Sequence, residues 1–101
     1  MPVLLQVDFP FEGPFGDAMA EGMKGLAESI AQEPGLIWKV WTENAEAKEA
    51  GGIYLFDSRE NAQKYIAMHE TRLKGFGVPV VNVKFFDVNV ALSEIDKAKL
   101  Q

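Results

Sequence analysis

Apolar positions alternate at the start of the chain and then recur at helical spacing. Over residues 3–9 every second side chain is a large apolar one, which predicts a strand with one buried face. A loop rich in Pro and Gly follows over 10–16, and Asp17 is placed to cap a helix that extends to about Glu33. The apolar residues of this helix recur every three or four positions: Met19, Met23, Leu26, Ala27 and Ile30.

Two more strands are predicted in the middle of the chain. Pro34 and Gly35 end the first helix, and the apolar segment 36–43 has the length and the β-branched and aromatic content of a strand. The polar stretch 43–52 connects it to a third strand over 52–56. Both strands carry apolar residues on both faces, so this part of the sheet is expected to be apolar on both sides.

The second half of the chain predicts another helix, a fourth strand and a short C-terminal helix. Asp57 or Ser58 caps the second helix. A fourth strand is predicted over 80–90, and a start resembling a capping box at Ser93 predicts the last helix. The apolar stripe of the second helix contains six residues: Ala62, Tyr65, Ile66, His69, Leu73 and Phe76.

The element order β-α-β-β-α-β predicts a ferredoxin-like fold of the α+β class. Right-handed crossovers place both helices on one face of a four-stranded antiparallel sheet. We expect residues 1–101 to form a single domain, since 48% of them are hydrophobic, as is usual for a globular protein. The helices leave the second face of the sheet open, so its apolar residues predict a homodimer. The alternative is a monomer with a few exposed apolar side chains.

The second strand contains both tryptophans, three positions apart. In a regular strand this spacing points them to opposite faces of the sheet. Trp38 shares its face with Leu36 and Val40, whereas Trp41 shares its face with Lys39. We therefore predict that Trp38 points toward the helices and that Trp41 points toward the partner subunit.

Composition and charge exclude several classes of function. The net charge is -5, and the 10 basic residues are scattered along the chain, which argues against a nucleic-acid partner. The absence of cysteine and the single histidine exclude disulfides, thiol chemistry and a multi-histidine metal site. The apolar N-terminal stretch is interrupted by polar residues, so we expect no signal peptide, no membrane partner and a cytoplasmic location. No nucleotide-binding motif or nucleophile elbow occurs either.

Few side chains are candidates for chemistry. His69, the only histidine, lies on the apolar stripe of the second helix one turn after Tyr65. Burial could keep it neutral and able to accept a proton near pH 7, but the alternative is a purely structural histidine. Tyr54 and Tyr65 could donate hydrogen bonds to a ligand or satisfy backbone groups instead. By themselves, the residues predict a small apolar pocket lined by aromatic rings, with one candidate base.

Five segments of the sequence resemble a known family. "GPFGDAMAE", "LAESIAQEPG", "WKVWTE", "EAGGIYLF" and "FDVN" occur in the order and spacing of the YdhR family of small monooxygenases, within the dimeric α-β barrel superfamily. The resemblance spans nearly the whole chain and implies a homodimer of ferredoxin-like subunits whose sheets pack face to face. It also implies oxidation of a small hydroxylated aromatic compound by molecular oxygen, without flavin, haem or metal, in a pocket between helices and sheet.

The implied activity gives the candidate residues roles. His69 is the expected proton acceptor, and Tyr54 or Tyr65 is expected to position the substrate hydroxyl or the developing anion. The resemblance leads us to expect the apolar walls of the pocket from three aromatic residues: Trp38, Phe56 and Phe85.

Two alternatives to oxygenation remain open from the sequence. One is a non-catalytic dimer that binds an apolar metabolite, because no cluster of residues demands catalysis. The other is a haem-degrading branch of the same superfamily, which uses an axial histidine on the second helix. Against this second alternative, Asp8 occupies the place of an expected amide partner, and the second helix contains no tryptophan.

Overall fold

The first strand occupies the centre of the sheet, with a partner on each side. A computed structural model of the chain describes residues 1–101. Strand β1 (Val3–Pro10) pairs antiparallel with β3 (Glu49–Phe56) and with β4 (Asn82–Asp87). Strand β2 (Leu36–Asn44) pairs with β3 and forms one edge, which gives the strand order β2-β3-β1-β4. The predicted ferredoxin-like α+β fold is confirmed.

The first crossover contains two short helices where one was predicted over 17–33. Helices α1 (Gly16–Gly22) and α2 (Lys24–Ala31) are separated by Met23, whose ψ of 5° lies outside the helical region. A glycine lies within two residues of the break on each side, and only proline is a weaker helix former. The apolar residues of both helices still face the sheet, which is why the periodicity predicted one continuous helix.

The long helix α3 (Arg59–Gly75) carries most of the second layer. Its N-terminus is capped by Ser58, whose hydroxyl accepts a hydrogen bond from the Asn61 N–H at 3.2 Å. One member of the predicted apolar stripe is misplaced, because Phe76 follows the helix and is 66% exposed. The other five members of the stripe are buried: Ala62, Tyr65, Ile66, His69 and Leu73.

Two predicted helix caps were wrong. Asp17 lies in the first turn of α1 and makes no capping hydrogen bond. The short helix α4 (Val90–Ile95) begins before Ser93, and Asn89 caps it by accepting a hydrogen bond from the Leu92 N–H at 3.1 Å. Asn is as good a cap as Ser, so the residue type alone could not decide between the two.

The hydrophobic core lies between the helices and one face of the sheet. Alternation along β1 predicted which face is buried, and the structure confirms it. Each large side chain buried there stabilises the fold by about 2 kcal/mol relative to exposure. The buried residues of β1 are Val3, Leu5, Val7 and Phe9.

A register shift in β2 reverses the faces of its side chains. Leu36 pairs with Phe56, but Trp38 pairs with Leu55, so Ile37 is an extra residue in β2. Because side chains alternate with a period of two, one extra residue moves every later side chain to the other face. Leu36 packs against the core, and the residues after the shift have the opposite parity from that predicted.

The predicted orientations of the two tryptophans were therefore wrong. Trp41 packs against the core, and Lys39 pairs with Tyr54 on the helix side of the sheet. Trp38 lies on the opposite, outer face, where its indole N–H donates a hydrogen bond to the Lys99 carbonyl at 2.7 Å. The C-terminal tail is thus attached to the outer face. The tryptophan on the helix side of the sheet is Trp41 and not Trp38.

Candidate active site

A cavity of about 500 Å³ opens between the helix side of the sheet, the loop before α1 and the C-terminal part of α3. This volume lies within the usual range for sites that bind small organic molecules. Most of its lining is apolar, and aromatic rings form a large part of the walls. The aromatic residues of the lining are Phe9, Phe11, Trp41, Tyr54 and Phe76.

Three of the polar side chains that line this cavity come from three different elements. Lys39 of β2 and Tyr54 of β3 are cross-strand neighbours on the helix side, because the extra residue in β2 turns Lys39 inward. His69 reaches the cavity from α3, one turn after Tyr65. The Tyr65 ring packs between Tyr54 and His69, and its centroid lies 5.0 Å from that of each of these two rings.

His69 is held as a neutral ring with a defined tautomer. It is only 3% exposed, and its Nδ1 lies 3.2 Å from Nε and 2.8 Å from Nη2 of Arg72. A guanidinium has no acceptor, so Nδ1 accepts these hydrogen bonds and the ring hydrogen is on Nε2. Burial, and then the charges of Arg72 and Lys39, lower the pKa of His69 to about 3.

This arrangement does not fit the expected role of His69 as a proton acceptor near pH 7. Its basic nitrogen is occupied by Arg72, and its low pKa makes it a weak base. Instead, His69 can donate a hydrogen bond to a ligand through its neutral Nε2–H group.

The tyrosine pair is also restricted to the protonated form. The Tyr65 hydroxyl donates to the Tyr54 hydroxyl at 3.0 Å, which leaves the Tyr54 hydrogen free for a ligand. Burial raises the pKa of Tyr54 to about 12 and raises the pKa of Tyr65 still further. Tyr54 can therefore donate to a ligand in the cavity, and Tyr65 supports it from behind.

Lys39 is a functional candidate that was not predicted from the sequence. Its Nζ lies 3.5 Å from the centroid of the Trp41 ring and 4.6 Å from that of Tyr54. The four ion pairs of the structure do not include it, so no carboxylate lies within 4.0 Å. Aromatic rings favour the ammonium form, but burial, and then the charge of Arg72, lower the pKa of Lys39 to about 7.

The free nitrogens of Lys39 and His69 are accessible from the cavity. Every buried side-chain nitrogen or oxygen atom of the protein has a hydrogen-bond partner. Lys39 Nζ and His69 Nε2 have no such partner, so they must be reachable by solvent or by a ligand. Together with the Tyr54 hydroxyl, they place three hydrogen-bonding groups in a cavity with mostly apolar walls.

Gly52 of β3 provides the space that Lys39 occupies. A Cβ atom at this position would lie 2.6 Å from Lys39 Cε and 3.1 Å from the Tyr54 ring. Carbon atoms do not approach that closely, so any larger residue would displace the lysine. Glycine inside a strand often indicates such a close approach. Gly52 is therefore a signal in the sequence for a close approach at this point, although it does not identify Lys39.

Three predicted wall residues lie outside the cavity lining. Phe56 is fully buried in the core, and its ring centroid is 6.1 Å from that of Tyr54. Phe85 packs against the core from β4, beneath the guanidinium of Arg59 at 5.5 Å. Trp38 is on the outer face of the sheet. Of the predicted site residues, the structure brings together Tyr54 and His69 at the cavity, with Tyr65 behind them.

The site does not fit the axial ligation of haem. Coordination needs a nitrogen lone pair directed at the iron, whereas the lone pair of His69 is on Nδ1 and accepts hydrogen bonds from Arg72. The structure also has no group of three or more His, Cys, Asp or Glu side chains that could hold a metal ion. No helix is both long enough and apolar enough to cross a membrane.

The model of one protein family matches nearly the whole length of the chain. The family model described as "Putative mono-oxygenase ydhR" matches residues 4–99. The chain belongs to the YdhR family. This confirms the resemblance seen in the sequence, and the family supports a monooxygenase-like function for this member. Comparison with curated protein sequences finds no match.

Solved structures of distant proteins share the fold of this YdhR-family chain. A variant of SnoaB, a cofactor-independent oxygenase from Streptomyces nogalater, superposes with a TM-score of 0.62 at 16% identity, over 87% of this chain and 93% of that chain. Rv0793 from Mycobacterium tuberculosis gives a TM-score of 0.58 at 14% identity, over 87% of this chain and 95% of that chain. At these identities the similarity shows the fold alone.

Proposed function

We propose that this YdhR-family protein is a cofactor-independent monooxygenase that acts on a small hydroxylated aromatic compound. The proposal is based on one observation: Lys39, His69 and Tyr54 all line the same cavity, which has aromatic walls. Flat apolar walls suit an aromatic ring, and hydrogen-bonding groups close together suit an oxygen atom on that ring. The family assignment supports the reaction type.

The proposed reaction converts a phenol and molecular oxygen into a quinone and water. The substrate supplies the electrons after it loses its hydroxyl proton, one oxygen atom enters the product, and the other leaves as water. The protein contributes orientation, a cavity with mostly apolar walls, and groups that stabilise the phenolate.

Two neutral donors stabilise the developing negative charge. His69 donates through Nε2–H, and Tyr54 donates through its hydroxyl, which is itself the acceptor for Tyr65. Because Arg72 fixes the His69 tautomer, this donor is oriented before the substrate arrives. Donors fixed in this way, in a site of low dielectric constant, are worth about 3 kcal/mol each to an oxyanion.

Oxygen uptake with a panel of phenols, naphthols and polycyclic hydroxyaromatics tests the proposal. We expect uptake by the wild type in the presence of a chelator, and uptake reduced by about 100-fold in Tyr54→Phe and in His69→Leu. Glu60→Gln, on the exposed side of α3, is the matched control and should retain full activity. Absence of uptake with every compound would overturn the proposal. Tight binding under air without any product would indicate the non-catalytic binding protein instead.

We also infer a homodimer through the outer face of the sheet. Val40 of β2 and Phe86 of β4 are 53% and 45% exposed there, beside the apolar side chains of Trp38 and Ile53. A second copy offering the same face would cover them around a two-fold axis. Light scattering should give twice the chain mass, and Val40→Asp should give the monomer. A monomeric wild type at high concentration would contradict this inference.

A further inference from the structure

Lys39 differs from Tyr54, Tyr65 and His69 because none of these three groups is free to accept a proton. Tyr54 and Tyr65 remain protonated, and the basic nitrogen of His69 is occupied by Arg72. We propose that the Lys39 amine is the base that removes the hydroxyl proton from a bound hydroxyaromatic compound. The substrate class in this inference rests on the proposed function, whereas the assignment of the base rests on the geometry around Nζ.

The geometry keeps the amine available to a ligand. Lys39 Nζ has no hydrogen-bond partner and no carboxylate within 4.0 Å, and it lies against the rings of Trp41 and Tyr54. Gly52 lets the lysine stem lie across β3, so that the nitrogen ends at the cavity wall, 4.6 Å from the centroid of the Tyr54 ring. A phenol oxygen that accepts from Tyr54 would therefore lie within reach of Nζ.

The charges around Lys39 favour the neutral amine when the cavity is empty. Burial, and then the positive charge of Arg72, lower the pKa of Lys39 to about 7. Glu12 lines the same cavity, but it is exposed and paired with Lys48 at 3.4 Å. The charged and titratable groups that line the cavity or contact its wall are Glu12, Tyr54, Tyr65, His69 and Arg72.

Proton transfer to Lys39 becomes favourable when a phenol is bound. The O–H bond of the phenol breaks, a new N–H bond forms on Nζ, and the oxygen keeps the electron pair. The ammonium then faces a phenolate across a cavity of low dielectric constant, where attraction between opposite charges is strong. The aromatic rings of Trp41 and Tyr54 add to this, since both favour a cation over their faces. The amine returns its proton to water after the product leaves.

The first test compares the pH dependence of turnover in two variants. In the wild type, kcat/KM should rise with pH around a midpoint near 7, the pKa of the free amine. Lys39→Met should lose about 100-fold in kcat/KM and also lose the inflection. Lys39→Arg keeps the charge but cannot accept a proton, so it should lose the inflection too. The control, Lys64→Met on the exposed face of α3, should match the wild type. Full activity with an unchanged profile in Lys39→Met would overturn the inference.

A second test does not require turnover. Para-nitrophenol absorbs visible light strongly only as the phenolate, so its spectrum reports its protonation state when bound. Below the pH at which the free compound ionises, we expect the wild type to bind it as the phenolate and Lys39→Met to bind it as the neutral phenol. An equal phenolate fraction in both proteins would overturn the inference.

The two tests separate this inference from the proposed function. A phenolate band that requires Lys39, together with no oxygen uptake from any substrate, would remove the oxygenase proposal and keep Lys39 as the base. Oxygen uptake that is unaffected in Lys39→Met would keep the oxygenase proposal and rule out Lys39 as the base. If the wild type binds no hydroxyaromatic compound at all, both proposals are wrong. Circular dichroism and thermal melting confirm that each variant is folded.

Discussion

The two ends of the helix-side surface of the sheet are filled in different ways. At one end, here called the packed end, Phe56 of β3 and Val3 of β1 pair with each other and are almost completely buried. At the other end, the open end, β3 has Gly51 and Gly52, and Lys39 of β2 lies across Gly52. The side chain missing at Gly52 leaves the space in which Lys39 lies beside the cavity.

This difference indicates that stability and the proposed function come from separate parts of one small core. The packed end removes large apolar side chains from water, which is the main source of folding free energy. The open end holds Lys39 and His69 where their charged forms are unfavourable, which costs stability. We therefore expect substitutions at the packed end to affect folding, and substitutions at the open end to affect activity.

The largest effect should come from removing a ring at the packed end. Phe56→Ala deletes a fully buried ring and should lower the free energy of unfolding by about 3–5 kcal/mol. Phe76→Ala, at the open end, removes a ring that is 66% exposed and should cost less than about 1 kcal/mol. Urea denaturation of both variants measures the difference. Equal losses would show that the two ends are not energetically distinct.

Acid should destabilise the protein through the open end. The pKa of His69 is lowered from 6.5 to about 3 in the folded state, so below pH 6.5 the unfolded chain takes up a proton that the native protein does not. Stability should fall as the pH is lowered through this window, by about 3 kcal/mol near pH 4. His69→Gln should lack this component, which the difference between the two unfolding profiles isolates. Parallel profiles would contradict a neutral, buried His69.

A smaller effect is expected when the open end is partly filled. Gly52→Ala introduces a Cβ that would overlap Lys39 Cε, so the amine must move and kcat/KM should fall by about 10-fold. Gly75→Ala is the matched control, because its Cβ would meet nothing within 4 Å. It should leave activity unchanged and stabilise α3 by about 0.5–1 kcal/mol. Unchanged kinetics in Gly52→Ala would show that the position of the lysine is unimportant.

The smallest effect has the opposite sign. In the folded protein the pKa of Lys39 is lowered from 10.5 to about 7. Burial of the lysine therefore lowers the free energy of unfolding most below pH 7, where the amine is charged in both states. This loss decreases as the pH rises and disappears above pH 10.5. Lys39→Met should therefore raise the free energy of unfolding by about 1 kcal/mol at pH 7, while activity is lost. Thermal melting at pH 7 and at pH 10.5 measures the change. A less stable Lys39→Met variant at pH 7 would contradict the account of the open end.

The sequence predicted the packed end well, because burial there follows simple periodicity. Alternation along β1 identified its buried face, and helical spacing identified all the buried residues of α3. These patterns persist because each side chain must point into the same core. The predicted start of β3 was three residues late, since the glycines and Ala50 carry little hydrophobic signal.

The open end could be predicted only in part. Tyr54 and His69 were found because they are rare polar types on apolar faces, but Lys39 was assigned to the wrong face. That error arose at Ile37, where β2 contains one residue more than the paired segment of β3. A bulge depends on how two strands align, and nothing in the local sequence of β2 reveals it. Gly52 leaves the space that Lys39 occupies, but a glycine does not identify the side chain that fills its space.

The most direct test of the central claim uses isotopically labelled molecular oxygen. The wild-type protein is incubated with a hydroxyaromatic compound that it binds, in a buffer that contains a chelator and no flavin, and the product is analysed by mass spectrometry. We expect a quinone that carries one labelled oxygen atom, formed in proportion to the oxygen consumed and nearly absent with Lys39→Met. Recovery of the bound compound unchanged, with no oxygen consumed, would contradict this expectation.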